Sequence, residues 1–276
     1  MKAFLLSTAR HAALAIIALI LILPIYWLVM SSFRPSDHIF RFSGTFGLQT
    51  LVPFSLTLDN YVQALEGRIG RALFNSLFVS ISTVLLGVLV NSMAGFALAI
   101  FDFPFKKTIF VFILMSFMMP FESIVIPLYS LMRGLGWIDT YAALILPDVA
   151  GGLIIFLFYQ FFRGIPREIY EAARVDGASW WQIYARMTMP LSGPTIATAS
   201  LMMFIHQWDA FFWPLVATSG ERLAVIQVAI ARNMTMEQAN WGAFFAAASM
   251  AILVAMVPFF MLQRHYVKVV VTSSDR

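Results

Sequence analysis

The chain contains no cysteine. That excludes disulfide frameworks, thiolate chemistry and Cys-ligated zinc together, and it leaves the redox compartment open. Charge is scarce as well: Asp, Glu, Lys and Arg make up 12% of the residues, against about 25% in a soluble domain. No block of like charge is long enough for a nucleic-acid-binding patch, so the net +4 is read segment by segment. There is no G-x-x-x-x-G-K-[ST] phosphate loop. The four histidines, His11, His38, His206 and His265, lack metal-ligand spacing, and no catalytic constellation is visible.

What is abundant is apolar surface. Of the 276 residues, 61% are hydrophobic, and they are spread too evenly for one buried core. No polar linker, low-complexity run or internal repeat divides the chain, which predicts a single membrane domain over residues 1–276. A hydrocarbon core about 30 Å thick needs roughly 20 apolar residues in helix. Six stretches meet or approach that length: Ala12–Met30, Ala72–Phe101, Thr108–Met132, Tyr141–Phe162, Leu191–Ala217 and Trp241–Leu262. The first, second and sixth carry no charge. The third is interrupted by Pro120, Glu122 and Pro127, the fourth holds Pro147 and Asp148, and the fifth holds His206, Gln207 and Asp209. Lys2 and Arg10 before an apolar run resemble a signal peptide, but Tyr26, Trp27 and Met30 follow where a small-residue cleavage site would stand, so an uncleaved helix is expected.

Lys and Arg in the connecting segments set the orientation. With both termini in the cytoplasm, that side holds Lys2, Arg10, Lys106, Lys107, Arg163, Arg167, Arg174, Arg186, Arg264, Lys268 and Arg276, which is 11. The other side holds Arg34, Arg41, Arg68, Arg71, Arg133, Arg222 and Arg232, and four of these seven lie in the long first external loop, where the rule is weaker. The expected fold is therefore all-α and polytopic, with six transmembrane helices and both ends inside.

One cytoplasmic connection, Arg163–Pro190, is long. Pro166 suits a first helical turn, and Glu168 and Glu171 favour the positive end of the helix dipole. Ile169, Ala172 and Ala173 are expected to share one face. Gly177 then ends the helix, and Ser179 followed by Gln182 is a capping-box pattern for a second one. Small alanines beside Glu171, Arg174 and Asp176 suit close docking of another protein. An amphipathic helix resting on lipid headgroups, anchored by Trp180, Trp181 and Tyr184, has the same composition. The residues alone leave both open.

Glu171-Ala172-Ala173, then Gly177, then Pro190 resembles the EAA loop of binding-protein-dependent ABC importers, and Glu171 to Ser179 is similar to its carbohydrate-uptake branch, which includes the maltose and glycerol-3-phosphate permeases. Asn75-Ser76, Gly136-Trp137-Ile138-Asp139-Thr140, Gln207-Trp208-Asp209 and Trp213-Pro214-Leu215 agree, so the resemblance covers roughly residues 75–264. It implies a coupling helix between spans four and five, seated in a cleft of an ATPase subunit, with Glu171, Ala172, Ala173, Asp176, Gly177 and Pro190 at the contact. It also implies a second, non-identical permease, two ATPase subunits that bind ATP and Mg, an extracytoplasmic solute-binding protein, and a bacterial or archaeal cytoplasmic membrane. No cofactor or metal is expected in this chain, and no nucleic acid among its partners. The chain departs from the family pattern at Met187-Thr188-Met189-Pro190, where I-x-L-P is usual, at Asp209, where Asn is usual, and near Ile100-Phe101, where an arginine is usual.

An acid at the centre of a bilayer costs about 2.5–3.5 kcal/mol on insertion scales and normally faces a bundle interior or a water-filled path. Glu122, Asp148 and Asp209, with Gln207 beside them, are therefore candidates for a polar pathway serving a hydroxyl-rich solute. The structural alternatives are an interfacial position for Asp148 and a helix terminus near Pro120 or Pro127 for Glu122. His206 reads as a packing or interfacial residue. An intramembrane enzyme, such as a lipid-linked transferase using Glu122 and Asp209, is the rival from another class, and a transferase has no reason to shape Arg163–Pro190 in this way. A channel would need a filter-like loop that is missing.

Overall fold

The computed structural model describes residues 2–41, 48–234 and 240–274, and every regular element among them is helical. In chain order the main helices are α1 (Lys2–Ser32), α2 (Asp59–Glu66), α3 (Arg68–Ile100), α4 (Lys106–Met118), α5 (Phe121–Gly134), α6 (Tyr141–Ile145), α7 (Gly152–Arg163), α8 (Arg167–Val175), α9 (Gly193–Trp208), α10 (Phe212–Ala217), α11 (Ile226–Met234) and α12 (Trp241–Ser274).

Among the described residues three helical stretches are long and apolar enough to cross a bilayer unaided: Ser7–Ser32 in α1, all of α3, and Trp241–Met261 in α12. These are the uncharged runs expected as spans one, two and six. The stretches that carry proline or charge are broken. The expected third span is α4 and α5, bent by 103°, and the fourth is α6 with its following turn and α7, bent by 44°. The expected fifth is α9 and α10, interrupted between Trp208 and Phe212. Proline explains the sharpest break. Pro120 has no amide to donate and disfavours helix at the residue before it, and Met119 and Pro120 are both extended, with ψ 126° and 136°.

The Cα positions divide into two compact units. In the first (Met1–Arg71 and Ala229–Val254), the Asn60 amide donates to the carbonyls of Ser32 and Arg34 at 2.8 and 2.7 Å, holding the chain where α1 ends. Trp27 packs edge-on against Phe245, 5.3 Å between centroids.

The second unit (Ala72–Val228 and Ala255–Arg276) carries two apolar clusters. One gathers Val79, Val125, Leu144, Trp213, Val225 and Val228; the other gathers Phe96, Phe158, Phe162, Tyr170, Ile183 and Tyr184. Helix α3 serves both, and two of its residues fix how. A Cβ on Gly95 would stand 2.7 Å from the Phe158 Cβ and 2.9 Å from the Tyr159 amide nitrogen, so only glycine lets α3 and α7 meet there. Asn91 deals with the break ahead of α7, where an unpaired backbone group in a membrane would cost several kcal/mol. Its Nδ2 donates to the Val149 carbonyl at 2.7 Å, and its Oδ1 accepts from the Gly151 amide at 2.9 Å.

Candidate coupling loop and pathway residues

Between α7 and α9 the chain makes a short helix, a tight turn and a second helical segment. Pro166 precedes α8 in extended conformation, φ −54° and ψ 135°, so it stands at the cap and not inside the first turn. Tyr170 is the buried anchor of α8, 3% exposed, and its hydroxyl donates to the Phe162 carbonyl at 3.5 Å. Burial pushes the Tyr170 phenol above its ordinary pKa, offset in part by a hydrogen bond with Thr188. Ala173, one turn on, packs against the same cluster. The stripe expected at Ile169, Ala172 and Ala173 is thus split. Ile169 and Ala172 point away from the protein, because an amphipathic tyrosine fills the inward position more completely than isoleucine.

The outward face of α8 combines Glu168, Glu171, Ala172, Val175 and Asp176, at positions i, i+3, i+4, i+7 and i+8, all exposed. Val175 is 87% exposed, a large apolar group that nothing among the described residues covers. The helix ends in a Schellman motif. Gly177 sits at φ +82°, its amide donates to the Arg174 carbonyl at 3.0 Å, and the Ala178 amide donates to the Ala173 carbonyl at 3.0 Å. Arg174 braces the turn, donating to the Ala178 carbonyl at 2.8 Å with its guanidinium 5.2 Å over the Trp180 ring. Beside it lies a hollow of about 400 Å³ bounded by Asp176, Gly177, Gln182 and Arg186.

The capping box is formed as expected: Ser179 Oγ accepts from the Gln182 amide at 3.2 Å, and Gln182 Oε1 accepts from the Ser179 amide at 2.7 Å. The helix it opens does not stop before the next span. It passes through a π-turn at Ile183–Thr188 and a short helix, Met189–Leu191, that contains Pro190. Pro190 cannot donate to the preceding turn and crowds it, which widening by one residue accommodates. The Thr188 hydroxyl donates to the Ile183 carbonyl at 3.1 Å, five residues back. On the other side of this segment Tyr184 and Ser92 of α3 share a buried hydroxyl–hydroxyl bond of 2.8 Å.

The three acids expected within the membrane all stand at helix breaks. Glu122 lies in the first turn of α5, two residues after Pro120, exposed, where the helix dipole favours a negative charge. Asp148 ends the 3-10 turn ahead of α7 and lies 3.6 Å from His206 Nε2. Asp209 caps the C-terminus of α9, exposed, three residues after His206. Phe121 contacts Phe212 and Trp213, at 6.5 and 6.3 Å between centroids, so the start of α5 lies beside the break that follows Asp209. Gln207 is placed differently: it is 4% exposed, and its Nε2 donates to the Leu144 carbonyl at 3.3 Å. It ties α9 to α6 from a buried position, whereas Asp209 is exposed. Among the described residues no group of acids and histidines is arranged to hold a metal ion.

Residues 87–270 match the family of binding-protein-dependent transport system inner membrane components. The chain belongs to that family. Two relatives extend the match over nearly the whole length. The arabinooligosaccharides transport system permease protein AraQ of Halalkalibacterium halodurans is 33% identical over 95% of this chain and 94% of its own. The sn-glycerol-3-phosphate transport system permease protein UgpE of Rhizobium meliloti is 32% identical over 94% and 93%. A chain of a bacterial ABC transporter involved in the import of the acidic polysaccharide alginate has the same fold, with a TM-score of 0.85, 20% identity, and coverage of 96% of this chain and 97% of that one. Membership makes the chain a permease component of a transport system and removes the intramembrane-enzyme alternative.

Three features of this permease were not read from sequence. His206 has a carboxylate partner in Asp148; the signal was present, since both lie in apolar stretches that reward pairing. Asn91 bonds the break after Val149, and a lone Asn in an uncharged run is the cue for such a bond. Tyr170 anchors α8, for which periodicity alone offered no preference over Ile169.

Proposed function

We propose that this permease forms half of the solute pathway of an ATP-binding-cassette importer, working as one domain with six spans and both termini in the cytoplasm. Its solute is a carbohydrate or a related small polar molecule, as the arabinooligosaccharide and glycerol-3-phosphate relatives suggest. A second, non-identical permease completes the pathway, an extracytoplasmic protein delivers the solute, and two partner ATPase subunits bind ATP and Mg. The Arg163–Pro190 loop is the coupling element. The observation that carries this reading is the exposed face of α8, where Val175 and Ala172 lie among Glu168, Glu171 and Asp176 on a helix anchored by Tyr170 and stopped at Gly177. A helix held on one side and bare on the other suits transmission of motion from a partner.

Asp148, Asp209 and Glu122 then border the pathway. Transporters place solute groups at discontinuous helices near the membrane midplane, and the position of each of these acids beside a break in its helix supports this reading. Gln207 supports the pathway indirectly, by fixing α9 against α6.

The test uses Val175→Asp and Glu171→Ala, both at exposed positions. The complex is purified through a tag on this chain, and bound ATPase, solute-stimulated hydrolysis and uptake are measured together. Normal membrane insertion is expected, with the ATPase subunit lost or its hydrolysis uncoupled from uptake. If both variants keep normal ATPase binding, stimulation and uptake, α8 is not the coupling helix and the lipid-surface reading replaces it.

A further inference from the structure

We infer that a cleft at the coupling-loop end of the second unit holds the phosphate of an anionic lipid headgroup. The cleft lies where α3, α4, α7 and α8 end or begin and has a volume of about 640 Å³, within the range of roughly 300–1,000 Å³ usual for small-ligand sites. Four cations, Lys106, Lys107, Arg163 and Arg167, and two carboxylates, Asp102 and Glu171, line it. Positive charge is therefore in excess. Lys106 is engaged with Asp102 at 3.3 Å and with the Phe101 carbonyl at 2.8 Å. Arg163 leans on Tyr159, donating to its hydroxyl at 3.3 Å. The side chains of Lys107 and Arg167 have no hydrogen-bond or ion-pair partner among the described residues, and neither has Glu171. Lys106 and Lys107 open α4 and Arg167 opens α8, so the positive ends of two helix dipoles lie at the same place as the unpaired cations.

The surroundings indicate where the phosphate comes from. Helix α4 leaves the cleft with Ile109, Val111, Phe112 and Met115 exposed, 44% to 66% of each, which is an apolar wall suited to acyl chains. Tyr159 and Trp180 line the cleft itself, and such aromatics concentrate at the level of headgroups. Basic pockets between helices at a membrane surface attract anionic headgroups. A soluble phosphate would use the cations alone and leave this wall idle.

The experiment uses the whole complex, reconstituted in nanodiscs of phosphatidylcholine with a graded fraction of phosphatidylglycerol. Native mass spectrometry then counts retained phosphatidylglycerol. It should be retained in preference to phosphatidylcholine. Lys107→Gln and Arg167→Gln should each weaken retention about fivefold, corresponding to about 1 kcal/mol per basic residue, and the double variant more. Asp102→Asn should strengthen it, a gain that misfolding would not produce. Equal retention of both lipids, or a preference unchanged in the double variant, overturns the inference. Displacement of phosphatidylglycerol by added inorganic phosphate overturns the lipid source and leaves a soluble phosphate site. Retention only after the ATPase subunits are stripped also overturns it, because the cleft would then be an ATPase contact. None of these outcomes depends on transport, so failure here leaves the coupling proposal standing.

Discussion

Gly177 separates two physical reasons for a glycine in the proposed coupling loop. Its φ of +82° closes the Schellman turn, and a Cβ built there meets nothing within 4 Å among the described residues. Within this chain, then, a side chain costs backbone strain without a clash. Forcing an ordinary L-residue into the left-handed region costs about 1–2 kcal/mol, which lowers the population of the native turn about 5–30-fold. Asparagine tolerates that region far better than alanine or β-branched residues. If the turn geometry is what coupling needs, activity should fall in the order Gly177, Gly177→Asn, Gly177→Ala, Gly177→Val, although asparagine is larger than alanine. If the open space is needed by a partner, the order should follow side-chain volume and asparagine should be worse than alanine. Solute-stimulated ATP hydrolysis by the purified complex, set beside uptake, reads the difference. Gly177→Leu combines strain and bulk and should abolish transport while leaving the permease in the membrane. Normal uptake by Gly177→Leu would refute both reasons, and an order that follows volume would refute the strain calculation.

Gly95→Ala should destabilise the permease by about 1–3 kcal/mol through overpacking, because the atoms it meets are the Phe158 Cβ and the Tyr159 backbone, which cannot swing aside; thermal aggregation of the purified complex would show it, and an unchanged profile would mean α3 and α7 separate freely. Asn91→Leu removes two bonds at the break before α7 and should cost about 1–3 kcal/mol for each backbone group left unpaired, read in the same assay. Asp209→Asn keeps the side chain's size and removes a charge that would be costly if it lies in the proposed pathway. Assembly should be unharmed or improved, with solute affinity or selectivity altered; unchanged transport across several solutes would make Asp209 a helix cap only. Tags at the N-terminus and near Lys106-Lys107 should report cytoplasmic and tags near Gly220 external, and a cytoplasmic signal from Gly220 would contradict the proposed six-span topology.

How far the fold was legible differs from element to element, for physical reasons. The uncharged runs around α1, α3 and α12 were read directly, because membrane insertion depends on composition over about 20 residues and little else. Pro120 was read as an interruption. The 103° bend that follows it was not, since a proline fixes its own φ and frees the next turn without choosing a direction. Between Arg163 and Pro190 the Ser179–Gln182 box and the Gly177 stop were both plain, being local chemistry between near neighbours. The burial of Tyr170 depends on Phe162 and Thr188, which arrive from other turns of the chain. The π-turn leaves no periodic signature in six residues; Pro190 was its one visible cause. The acids were marked by their place in apolar stretches, and Gln207 was grouped with Asp209 by adjacency, although two steps along a helix turn a side chain by about 200°. That rotation is why one is buried and the other exposed.

The absence of cysteine allows the most direct test of the coupling assignment. Val175→Cys places a single thiol on the 87% exposed tip of α8, and Ile126→Cys places one at a 76% exposed position on α5. With a cysteine scanned along the surface of the partner ATPase, oxidation in intact membranes should link Val175→Cys to the ATPase, with a yield that changes when ATP binds, while Ile126→Cys stays unlinked. A complex that transports normally yet gives no Val175→Cys product with any position on the ATPase would contradict the account at its centre.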